Sequence, residues 1–137
     1  MPDVGALIDA DFDSDLRRGI ALFDQRHYWE AHEAWEDRWR VETGERRLLL
    51  HGLIQVAAAF VKLCAHNPRG TVQLLEKARR KLASLPVALH GVDVAAVRAL
   101  ADQWHAAAAA LVAAGRTDFD PAALPPLPRA PRRGASH

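Results

Sequence analysis

His32 and Glu36 stand four residues apart in YWEAHEAWEDRW, a stretch that also holds three of the chain's four tryptophans. On a helix, side chains four apart share a face, so an imidazole and a carboxylate at this spacing can act together. They could hydrogen-bond as a buried pair. They could offer two ligands to a metal ion, since HEAWE is similar to half of the H-E-x-x-H zinc motif. They could also serve as a general base and the group that orients it. His51, Gln55 and Lys62 recur at helical spacing further on and form the one polar stripe of an otherwise apolar segment. A short connection near Thr43 and Gly44 folds the two segments into an antiparallel hairpin. His32 then lies level with Gln55, and Glu36 with His51, so the polar groups of both helices meet at matching heights.

A connected network of this kind satisfies buried polar groups and fixes which helix faces meet, and that is the preferred reading. For metal binding the second histidine of the zinc motif is missing, and Gln55 and Lys62 are poor zinc ligands, so no metal or other cofactor is expected. If one is held, His32 and Glu36 hold it, with His51 as third ligand, and the chain is a small metal-binding protein or metal-dependent hydrolase. For acid–base catalysis a nucleophile is lacking. Cys64, the only cysteine, falls far round its helix from the polar stripe and reads as a small core residue.

The elements that must carry these residues follow from apolar spacing and capping signals. A first helix is predicted from Ser14 or Asp15 to about Arg26, with Leu16, Ile20 and Phe23 on one face. A second spans Tyr28 to about Arg40, its apolar stripe being Tyr28, Ala31, Trp35 and Trp39, with Glu30, Glu33 and Asp37 solvated. A third runs from Glu45 to Ala65. Asn67 and Pro68 end it and start a fourth, which reaches about Leu85. A fifth covers Val94 to Ala114 and stops at Gly115. No stretch alternates with period two, so the fold class is all-α: stacked antiparallel helix hairpins in one domain over residues 14–115. The first hairpin is partly similar to a tetratricopeptide unit, with Arg26 where that unit has a turn glycine. Residues 1–13 read as a flexible lead-in. Residues 116–137, rich in proline and arginine, read as a disordered or surface-draped tail.

With 137 residues and a formal net charge of +1, the chain suits a single globular domain and gives no reason to expect nucleic acid as a partner. The N-terminus has no signal-peptide pattern, and uncharged apolar runs such as Val56–Val61 are too short to span a membrane. With a lone cysteine, these features lead to the expectation of a cytoplasmic protein without a membrane partner. Trp29 lies off the core stripe, as an interface aromatic would, so a homodimer or another protein partner is expected there. Arg69, Lys77 and Arg80 add a cationic face to the fourth helix that could contribute.

Three blocks together resemble the small helical family called domain of unknown function 309. The first is Gly19, Phe23, Tyr28, Trp29, Glu30, Ala31, His32, Glu33, Glu36 and Trp39. The second is Gly52, Leu53, Ile54 and Gln55. The third is His66, Asn67, Gly70 and Thr71, before a leucine-rich helix. The resemblance covers about residues 16–84 and implies an all-helical fold with no activity attached. His51 stands where that pattern has glutamine.

Overall fold

The computed structural model describes residues 4–130, and side-chain surroundings from residue 11 onward. Five helices follow in order: α1 Val4–Asp24, α2 Tyr28–Trp39, α3 Gly44–Cys64, α4 Pro68–Leu82 and α5 Val94–Ala113. The fold is all-α as predicted. Added to these are a 3-10 turn, Pro121–Ala123, and an antiparallel hairpin of two short strands, β1 Ala88–Leu89 and β2 Val92–Asp93, turned through His90 and Gly91. Each strand is two residues long, too short to leave a period-two pattern.

Each helix packs chiefly against its neighbours in sequence. In the α2–α3 hairpin the Tyr28 ring meets Phe60 at 5.4 Å, and Trp39 meets His51 at 5.1 Å. In the α3–α4 hairpin the buried Thr71 hydroxyl donates to the carbonyl of Ala59 (3.1 Å), and Leu82 packs where Gly52 has no side chain. Asn67 caps α4 by accepting from the Gly70 amide (3.0 Å), with Pro68 in the first turn, as its sequence signals require.

Phe60 explains which side of α3 is covered. Phe23 of α1 and Trp104 of α5 both reach it, at 5.6 and 6.2 Å. Nine residues from His51, at about 100° each, place Phe60 on the opposite side of the helix. The outer helices therefore close over the Phe60 side and leave the His51 side uncovered. α3 has the length and apolar composition to cross a membrane, but Leu49, Leu50, Leu53, Val56, Ala57, Phe60 and Leu63 are packed inside the protein.

Two expectations are corrected. The lead-in is helical from Val4, so Ser14 and Asp15 lie inside α1 and cap nothing; residues 1–3 lie outside the described residues. Phe12 continues the Leu16 and Phe23 face by one more turn, is fully buried, and drives this extension. The tail also packs, as far as it is described. Leu124 and Leu127 are buried, Asp24 accepts from the Leu127 amide (3.0 Å) and pairs with Arg129, and the Ala130 amide donates to Gly91 (3.0 Å). Phe119 packs edge-on to Trp104. Residues 131–137 lie outside the described residues.

Candidate functional site

The uncovered side of α3 is the floor of a three-helix face. His51, Gln55, Ala58 and Lys62 run along its middle. α2 borders it with Trp29, His32, Glu36 and Trp39, and α4 with Leu74, Lys77 and Lys81. The structure therefore brings most of the predicted residues to one face, but does not join them as predicted. The polar contacts run along each helix, not across the hairpin. His32 Nε2 lies 3.4 Å from Glu36 Oε2 on α2, and Gln55 Nε2 lies 3.5 Å from His51 Nε2 on α3. Glu36 also pairs with Arg40 (3.0 Å), which draws it toward solvent.

His51 meets Trp39, one turn beyond its expected partner Glu36. Helical side chains lean toward the N-terminus, so the long indole of Trp39 reaches back and fills the place assigned to Glu36. That indole is clamped from the other side. The Arg47 guanidinium lies 4.0 Å over the ring and donates to the carbonyls of Trp39 (3.1 Å) and Glu42 (3.3 Å). Glu42, itself buried, accepts from Arg38 at 2.7–2.8 Å and locks the α2–α3 turn.

Three buried polar atoms around this clamp have no hydrogen-bond partner: His32 Nδ1, Trp39 Nε1 and Gln55 Oε1. Trp29 stacks on the His32 ring, with centroids 5.0 Å apart and planes 12° from parallel, and is itself 54% exposed. The face is thus an aromatic-rimmed surface over under-satisfied polar groups. Among the described residues, no three histidine, cysteine, aspartate or glutamate side chains gather to hold a metal ion, and His51 does not complete a set with His32 and Glu36. Cys64 packs against the core, and burial pushes its thiol pKa up, away from nucleophilic use. Glu33, Lys62, Arg69, Lys77 and Arg80 are exposed, and Lys81 is half-buried.

Burial first, then the positive fields of Lys81 and Arg47, hold the His51 imidazole below its ordinary pKa. The unfolded chain then binds this proton more readily than the folded one. Stability tied to His51 is present above about pH 6.5 and is lost as pH falls below it. His51→Gln removes this term. The drop in urea midpoint between about pH 7.5 and pH 5.5 should be smaller in the variant than in the wild type. Equal drops would show that His51 titrates alike in both states.

One cleft was not foreseen. It lies between α1, the β hairpin and the packed tail, encloses about 960 Å³, and is lined by Asp13, Arg17, Asp24, His90 and Arg129 among others. His90 lies against Phe12 and 3.5 Å from Asp13. It became invisible to sequence reasoning once the first residues and the tail were read as unstructured.

Residues 16–74 match the family described as Domain of unknown function (DUF309). The matched segment holds α2, α3 and the start of α4, and so most of the three-helix face. No curated protein matches the chain.

Proposed function

We propose, for a chain that belongs through residues 16–74 to the DUF309 family, that it works as a protein-interaction module and that the α2–α3–α4 face is its contact surface. The observation that carries this reading is Trp29. Its indole is more than half exposed, yet stacking on His32 fixes its orientation. A rigid, exposed aromatic loses little conformational freedom on binding and brings a large apolar area, which is why such residues anchor interfaces. Closing a partner over it would also strengthen the polar contacts of the His32 and Glu36 rim by excluding water.

The test replaces Trp29 with a photoreactive benzoylphenylalanine in cells that make the protein. A control carries the same group at Gln103, exposed on α5. Irradiation should give a discrete adduct from position 29 and not from position 103. Equal yields from the two positions would overturn the reading.

A further inference from the structure

The two borders of the three-helix face carry opposite charge. α2 presents Glu30, Glu33, Glu36 and Asp37, against the single outward cation Arg40. On this face α4 presents Lys77 and Lys81, while Arg80 lines the groove toward α5 and the only acid of α4, Glu76, is turned to His105 of α5 at 3.1 Å. Among the described residues Glu33, Arg69, Lys77, Arg80 and Lys81 form no ion pair, while Arg79 on the α5 side is paired with Asp102. Arg40 pairs with both Glu36 and Asp37, and His27 lies 3.8 Å from Glu30, so Glu33 is the one free acid of the α2 border, yet the net charge is still sorted by helix, acidic on α2 and basic on α4, with the mainly uncharged stripe of α3 between.

We infer that the partner of this face is a second copy of the chain, laid face to face about a two-fold axis parallel to α3. This rests on the interaction-face reading above and names its partner. A closed two-fold contact pairs one surface with itself. Rotation about an axis parallel to α3 lays α2 of each copy over α4 of the other. Rotation about an axis across the helices would lay α2 on α2, acids on acids. Charge selects the first arrangement.

The heights agree with it. α2 and α4 run in the same direction, because each is antiparallel to α3. Tyr28 and Thr71 both lie level with the Ala59–Phe60 rung, and Trp39 and Leu82 with the His51–Gly52 rung. Counting inward from these rungs, Glu33 falls level with Lys77 and Asp37 with Lys81, each within one turn of about 5.4 Å. A rotation parallel to α3 preserves height, so these pairs face each other in both halves of the dimer. Trp29 falls near Leu74 of the opposite copy, which gives both borders of the contact an apolar anchor at the same end. Ala58, small and half-buried, lets the two α3 helices approach. One like-charge encounter remains, Lys62 with its own symmetry mate.

Sedimentation equilibrium of the full chain at about 50 mM salt should show a dimer, and raising salt to about 500 mM should weaken it. Glu33→Lys/Asp37→Lys makes both borders basic, and Lys77→Glu/Lys81→Glu makes both acidic. Each variant alone should be folded by circular dichroism, because the altered side chains lie at the surface. Each should dimerise about 100-fold more weakly, since the changed pairs occur twice across the axis. An equimolar mixture of the two should dimerise again, because each border then meets its opposite. Lys62→Gln should tighten the wild-type dimer. A monomeric wild type, or a dimer indifferent to both charge variants, overturns the inference. A position-29 adduct to a different protein would then leave the interaction-face reading standing, and no adduct at all would remove both.

Discussion

Gly19→Ala will destabilise the protein by about 2–4 kcal/mol, although alanine is the better helix former. A Cβ at position 19 would lie 2.0 Å from Nε1 of Trp35 and 2.4 Å from Cε2, so the indole must move. Trp35 is fully buried and donates to the carbonyl of Leu16 (3.1 Å), with Phe23 packed beside it. Displacing the ring costs about 1–3 kcal/mol in overpacking. Leaving its N–H buried and unpaired costs a further amount of about 1–3 kcal/mol. The helix propensity gained on replacing glycine returns only about 1 kcal/mol. Urea unfolding measures the balance, and a midpoint equal to or above that of the wild type would show that the α1–α2 contact is loose enough to absorb a methyl group. Trp35→Phe combined with Gly19→Ala should cost less than the sum of the single changes, because the smaller ring leaves room.

Deleting residues 121–137 will lower the thermal midpoint by about 10 °C. Leu124 and Leu127 are 3% and 2% exposed, and both belong to the main core cluster. Burying two leucines stabilises by about 3–6 kcal/mol. The entropy of ordering the segment opposes this, reduced where prolines already restrict the unfolded chain. Hydrogen bonds from the Leu127 amide to Asp24 and from Arg26 to the Ala122 carbonyl add to the gain. A net loss of about 2–4 kcal/mol corresponds to the stated shift in a domain of this size. A fall below about 3 °C would mean that the leucine seats close over without the tail. Leu124→Ala/Leu127→Ala should reproduce most of the loss while leaving the backbone contacts in place.

The two places where sequence reasoning failed share one cause. Proline and aspartate were taken to exclude packing, when they exclude only particular conformations. Prolines limit residues 121–128 to one 3-10 turn, Pro121–Ala123, after which Leu124 adopts φ −74° and ψ 128°, close to polyproline II. That conformation repeats every three residues, so Leu124 and Leu127 share a side and enter the core together. The i, i+3 leucine pair was the legible signal. In α1, Phe12 stands four residues before Leu16 and eleven before Phe23, a spacing that extends the apolar face beneath Asp11, Asp13 and Asp15. By contrast α2 to α5 were legible because caps, glycines and prolines punctuate them and their stripes are clean. For the site, the wheel put His32 beside Glu36 and His51 beside Gln55, and these two pairs do lie 3.4 and 3.5 Å apart. It could not place Trp39 between them, because a wheel records where a side chain leaves the helix and not how far it reaches back.

The strap from Pro121 onward also sets an order in time. Helices that pack chiefly against their sequence neighbours make local contacts, which form quickly and can form in succession as the chain leaves the ribosome. The strap is the longest-range departure from this among the described residues, since Leu127 bonds to Asp24 across the length of the domain. During synthesis the first hairpins can assemble while the seats of Leu124 and Leu127 still stand open, and the last described segment to emerge is the one that shuts them. A nascent chain stalled near Gly115 would therefore present a nearly finished body with an apolar gap. Only the strap closes that gap, by seating Leu124 and Leu127 in the core.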